Sequence, residues 1–155
     1  MRALPILVLV VLAAALAAGC PKKDDATTPA VPVALTREDR LQLARLEAQR
    51  EAGVARLVEL SRDKLAARRG LALRALGRIG SPDAIRALRA ALSGADGVAA
   101  AAALGIAGAT GALEPADAAA ITAELSTVSA PGDDRATVIE AIGRIADRSA
   151  LAPLT

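Results

Sequence analysis

The chain has 155 residues, 54% of them apolar, with one Cys, one Met and no His, Phe, Tyr or Trp. Any core must therefore be assembled from Ala, Leu, Ile and Val, and a chain rich in the strong helix formers Ala and Leu, with no aromatic residues, is expected to be all-α. Without His and with a single Cys, Ser-His-Asp and Cys-His arrangements and soft metal sites are excluded, and no cofactor is expected. The formal net charge of +2 hides a split: Arg37 to Ala90 holds 13 basic and 7 acidic residues, net +6, whereas Ala91 to Thr155 holds 3 and 8, net −5.

At the amino terminus, Arg2 supplies a positive start, Ile6 to Ala18 is uninterrupted apolar sequence, and Ala17-Ala18-Gly19-Cys20 closes it with small residues before the only cysteine. This is the pattern of a secretory signal. The apolar run falls short of the roughly 20 residues a spanning helix needs, and Lys22, Lys23, Asp24 and Asp25 follow it. Both features weigh against a permanent transmembrane helix.

The Ala17-Ala18-Gly19-Cys20 junction resembles a bacterial lipobox, with Ala17 where that family usually carries Leu. The resemblance implies a lipoprotein signal peptide over residues 1–19, cleavage before Cys20, and lipid attachment at the Cys20 thiol. Cys20 is then an anchor to membrane lipid, since several acyl chains, at about 0.8 kcal/mol per buried methylene, hold far more firmly than one. In that family Asp after the cysteine favours inner-membrane retention. Pro21 stands here instead, which implies the periplasmic face of the outer membrane. Residues 20–36, with Pro21, Pro29 and Pro32 and offsetting charges, read as a flexible tether.

A helical domain is expected over residues 37–155. Thr36 and Asp39 form a capping pair, and the proline-free stretch beyond predicts one long helix to about Leu60, weakened at Gly53. Leu41, Ala44, Ala48, Ala52 and Ala55 make a narrow apolar stripe on it, broadened by Leu43, Leu46, Val54 and Leu57. Next, Asp63 can cap a helix carrying Leu65, Ala72, Leu76 and Ile79 at helical spacing. Gly80-Ser81-Pro82-Asp83 breaks it, and Ile85, Leu88 and Leu92 mark one face of a second helix. Two antiparallel helices joined by a tight turn are the expected result.

The string from Arg74 to Leu92 resembles a HEAT-like repeat of the phycobilin-lyase type. Leu76-Gly77-Arg78-Ile79-Gly80 recurs as Leu104-Gly105-Ile106-Ala107-Gly108 and as Ile142-Gly143-Arg144-Ile145-Ala146, at offsets of 28 and 38 residues. The resemblance implies a short α-solenoid of antiparallel helix pairs over 63–93, 97–128 and an incomplete 133–155. In the second unit Ala118, Ile121, Leu125 and Val128 face inward. Its first helix, almost pure alanine, buries little area per residue, so this unit is expected to be the least firmly packed. The third unit places Val138, Ile142 and Ile145 inside and turns at Asp147-Arg148-Ser149.

Eight arginines, Arg56, Arg62, Arg68, Arg69, Arg74, Arg78, Arg86 and Arg89, offer either an anion-binding strip or an ordinary solvated face. Arg86 and Arg89 lie on the second helix of the first unit, which in HEAT arrays usually lines the concave surface, and are the candidate partner-binding basic surface. Asp133-Asp134 lacks EF-hand spacing and reads as a helix cap rather than a metal site. The glycine pairs resemble phosphate loops but lack a preceding strand and a Gly-Lys-Ser/Thr ending. A non-enzymatic envelope scaffold for a protein or peptide is the expected function, with no nucleic acid partner, since aromatic stacking residues are absent. The alternative is the amino-terminal portion of a longer envelope enzyme: HEAT-rich lipoproteins resembling this one can carry a peptidyl-prolyl isomerase domain after the repeats.

Overall fold

Seven helices and no strand make up the residues that the computed structural model describes, 34–151. The leader 1–19, Cys20 and the tether through residue 33 lie outside them. The helices are α1 (Arg37–Ala48), α2 (Glu51–Leu60), α3 (Ala66–Ile79), α4 (Pro82–Ala91), α5 (Gly97–Thr110), α6 (Pro115–Ser126) and α7 (Asp133–Leu151). Helices α1, α3, α5 and α7 touch one another in succession as a row; α2 and α4 lie against α3 and each other, α4 also meets α5, and α6 packs on α7. This arrangement is compatible with an α-solenoid.

The start of the domain follows its sequence. The Thr36 side chain accepts from the Asp39 N–H at 3.1 Å and the Asp39 carboxylate accepts from the Thr36 N–H at 3.1 Å, a reciprocal capping box. One long helix to Leu60 does not form. The chain breaks at Gln49-Arg50 and folds back, because Gly53 seats against the Leu46 backbone so closely that a Cβ there would stand 2.1 Å from the Leu46 carbonyl oxygen. The expected stripe also fails: Leu41, Ala44, Ala48, Ala52 and Ala55 are exposed, while Leu43, Val54, Leu57 and Leu60 are buried. Folding α2 back on α1 selects the larger Leu and Val side chains for the interior, since they remove more apolar area from water than alanine.

The fold-back has a local cost. Arg50 sits at φ 55°, ψ −124°, a region that L residues with a Cβ rarely adopt. Arg50→Gly is expected to stabilise the domain by about 1 kcal/mol, the lower end of the strain range, offsetting the exposed hydrogen bond from its guanidinium to the Arg78 carbonyl at 3.3 Å. A urea melt showing lower stability would mean that this bond outweighs the strain.

The helix–turn–helix part of the α3–α4 reading holds, with Leu65 and Leu92 only part-buried at the cap positions. Ala72, Leu76 and Ile79 are buried on α3, and Ile85 and Leu88 on α4. Gly80 ends α3 in the left-handed region at φ 65°, the Ser81 side chain accepts from the Ala84 N–H at 3.4 Å, and Pro82 occupies the first turn of α4. Asp63 does not cap α3, whose N-cap position is Leu65 with no side-chain cap bond; the Asp63 carboxylate, two residues upstream, accepts from the Leu65 N–H at 2.8 Å. In the next segment Ala118, Ile121, Leu125 and Val128 are all buried.

Two further expectations are overturned. Helix α5 is not loosely packed: Ala100, Ala101, Leu104 and Ala107 have no exposed surface, and the helix meets α3, α4 and α7. Small side chains bury little area each but let backbones come close, so dispersion contacts accumulate along the whole helix. Nor does the chain turn at Asp147-Arg148-Ser149, since α7 continues to Leu151. None of those three residues breaks a helix as Gly or Pro does, and the first proline beyond is Pro153.

Candidate binding surface

The basic front half does not form a bare cationic strip. Four of the eight candidate arginines reach across to another segment. Arg68 of α3 reaches Asp39 of α1 at 2.6 Å and Asp63 at 2.9 Å; Arg69 reaches Asp96, before α5, at 2.6 Å; Arg78 reaches Glu47 of α1 at 3.2 Å. Arg56 pairs with Glu59 within α2. Arg62 and Arg74 are exposed.

Arg86 and Arg89 both lie on α4, and carboxylates accompany both. Arg86 is largely exposed and lies 3.0 Å from Asp83, one turn back. Arg89 spans to α6, where its Nε donates to Glu124 Oε2 at 3.0 Å, its Nη2 pairs with Glu124 Oε1, and Asp117 stands 4.0 Å away. Two guanidinium groups thus face three carboxylates, and the surface is close to charge-balanced. Glu124 and Asp117 could not be identified from local sequence, because Glu124 lies 35 residues beyond Arg89 and only the stacking of the helices brings them together.

Arg89 stands between two open clefts. One, about 520 Å³, is lined by Arg89, Leu92, Val98, Glu124, Thr127 and Val128. The other, about 540 Å³, is lined by Ile85, Arg86, Leu113, Glu114 and Asp117 along with Arg89. Aliphatic and charged side chains line both clefts, and the first also carries the Thr127 hydroxyl. Such a surface can hold an extended peptide or a helix by shape and hydrogen bonding. Among the described residues no group of three His, Cys, Asp or Glu side chains converges, and no helix is long and apolar enough to cross a membrane. Asp133 and Asp134 occupy the first turn of α7, where the helix dipole favours negative charge.

Several of these carboxylates titrate low. Hydrogen bonding to Arg89 holds Glu124 below its ordinary value of 4.5; bonds to Thr36, followed by Arg68, lower Asp39, and the Leu65 N–H and Arg68 lower Asp63, both from 3.8. A carboxyl whose folded value is depressed contributes stability that is complete above its unfolded value and is lost as pH falls through the folded one. Stability is therefore expected to be flat between about pH 6 and 8, where a chain without His has little to titrate, and to decline once pH drops below the ordinary values. The pairs are part-exposed, so each contributes modestly: Arg89→Ala is expected to cost no more than about 1 kcal/mol, less in high salt. Thermal melts across pH and salt check both; a loss of stability between pH 6 and 8 would contradict the assignment.

Comparison of the chain with protein-family models, curated proteins and solved structures gives no match in any of the three.

Proposed function

We propose that this chain is a lipid-anchored scaffold of the bacterial cell envelope, in which a HEAT-like array of antiparallel helix pairs presents its second-helix side to a protein or peptide. The domain plan is that of the sequence: a signal peptide over 1–19, a tether from Cys20 to Thr36, and helix pairs over 63–93 and 97–128 with a further unit from 133. The anchor is acylated Cys20, and the site is the periplasmic face of the outer membrane. The function is binding without catalysis.

The observation that supports this reading best is a recurrence in both sequence and packing. Gly77 of α3 lies so close to the α5 backbone that a Cβ would stand 2.4 Å from the Ala103 carbonyl oxygen, and Gly105 of α5 meets the Ala141 Cα of α7 at 2.8 Å in the same way. One motif twice admits the next helix of the row, as stacked repeats require. The clefts beside Arg89 are then the partner surface, with Arg86 and Arg89 contributing polar contacts rather than a cationic field.

The test has two parts. The intact mass of the protein extracted from membranes is expected to fit residues 20–155 plus acyl chains. An unacylated mass would remove the anchor, and a much larger one would support the longer-enzyme alternative. A photo-crosslinking side chain at Arg86, on the exposed edge of the second cleft, is expected to give a discrete protein or peptide adduct in intact cells. The same probe at Arg74, exposed on α3, should give none, and equal labelling at the two would sink the assignment of this surface.

A further inference from the structure

The second helices of the array do not pack evenly. Helix α2 lies against α4, but α4 and α6 do not close on one another in that way; α6 packs chiefly on α7. The clefts of about 520 and 540 Å³ occupy the gap between α4 and α6, and Arg89, which lines both, reaches across it to Glu124. Each cleft falls within the size range of ligand sites, about 300–1,000 Å³.

The unspent charge in this gap is negative. Residues 92–134 contain six acids and no Lys or Arg, so a cation near them must come from elsewhere in the fold. Arg69 supplies one to Asp96, and Arg89 supplies another to Glu124 through two of its nitrogens. Arg89 therefore has little left for Asp117, which stands 4.0 Å away and is 56% exposed. Glu114, at the N-cap position of α6, is exposed, makes no side-chain cap bond, and has no ion pair among the described residues. The other cation of the second cleft, Arg86, is 3.0 Å from Asp83. Four carboxylates around this cleft, Asp83, Glu114, Asp117 and Glu124, thus stand against two guanidinium groups that are already paired. Glu114 and Asp117 are three residues apart and line the same cleft, beside the aliphatic side chains of Ile85 and Leu113.

We infer that the occupant of the second cleft is a peptide segment of a partner protein that carries Lys or Arg beside an aliphatic residue. Its cation stands between Glu114 and Asp117, and its aliphatic side chain lies against Ile85 and Leu113. An acidic segment is disfavoured, because it would meet two acids without partners or have to displace Glu124 from Arg89. This choice of partner rests on the clefts beside Arg89 being the partner surface. What it adds is the sign of the charge, opposite to the one that Arg86 and Arg89 alone would select.

The experiment selects from a displayed library of random decapeptides on the full chain in mild detergent. A photo-crosslinking side chain at Ala112, an exposed residue of the second cleft whose replacement leaves every charge in place, reports which peptides sit there. Captured sequences are expected to share a Lys or Arg next to Leu, Ile or Val. For such a peptide, affinity is expected to fall about tenfold when its cation becomes Gln, and by a similar factor when the chain carries Glu114→Gln with Asp117→Asn. Made together, the two changes should cost little more than either alone, because they remove one interaction. Both substituted positions are exposed, and circular dichroism melts confirm that the variant folds. Captured peptides without a cation leave the clefts as a partner surface and overturn the basic partner. So do basic peptides whose affinity the double variant leaves unchanged, or losses that simply multiply, either of which places the cation elsewhere. A library that yields no captured peptide removes the partner surface itself, and the basic partner with it.

Discussion

Gly77→Ala is expected to destabilise the domain by about 2 kcal/mol, although alanine is the better helix former. A helix-interior glycine replaced by alanine gains up to about 1 kcal/mol from propensity alone. At position 77, however, the new methyl would stand 2.4 Å from the Ala103 carbonyl oxygen, a backbone atom that moves only if α5 moves. Overpacking of this kind costs about 1–3 kcal/mol, and the rigid neighbour puts it at the upper end, so the clash outweighs the propensity gain. Gly105→Ala should behave alike, its Cβ falling 2.8 Å from the Ala141 Cα. Gly143→Ala should do the opposite and stabilise by somewhat under about 1 kcal/mol, since among the described residues nothing stands within 4 Å of an added Cβ there. At roughly 4 °C per kcal/mol for a domain of this size, thermal melts separate the two signs easily. If all three substitutions shift the melting temperature the same way, the glycines are not helix-docking notches.

Leu104→Ala should produce a still larger loss, about 3 kcal/mol. Leu104 is fully buried in the helix that meets α3, α4 and α7. Its neighbours on α5 are mostly alanines, with little freedom to swing into the space left behind, so the cavity stays largely open. Leu41→Ala supplies the contrast: at 46% exposure the residue should change stability by no more than about 0.5 kcal/mol. Urea unfolding of the two variants decides the matter. A loss below about 1 kcal/mol for Leu104→Ala would mean that the alanine-rich helix is as loosely held as its small side chains suggest.

Fold and binding surface were legible in the sequence to different degrees. Helix boundaries were well marked where chemistry is local: the Thr36–Asp39 box, Gly80 with Ser81 and Pro82, and the inward set Ala118, Ile121, Leu125 and Val128. Reading failed where a partner helix decides. The stripe Leu41-Ala44-Ala48 satisfies helical spacing as well as the buried Leu43 and part-buried Leu46 do, and only the return of α2 over α1 chooses between them. Likewise, the acids beside Arg89 were not legible because Glu124 and Asp117 are remote in sequence, whereas Asp83, the partner of Arg86, lies only one turn away.

The sequence by itself determined that the domain is helical, that its core is aliphatic, and that histidine-based chemistry is absent. Composition and short-range spacing suffice for these, because propensity, caps and residue inventory do not depend on distant neighbours. Tertiary structure alone decided which face of α1 is buried, that α5 is tightly held, where the arginines find their acids, and which of three similar glycine notches no described residue fills. Each of these turns on contacts between residues far apart in the chain, whose identity follows from how helix backbones approach one another and not from periodicity within any one helix.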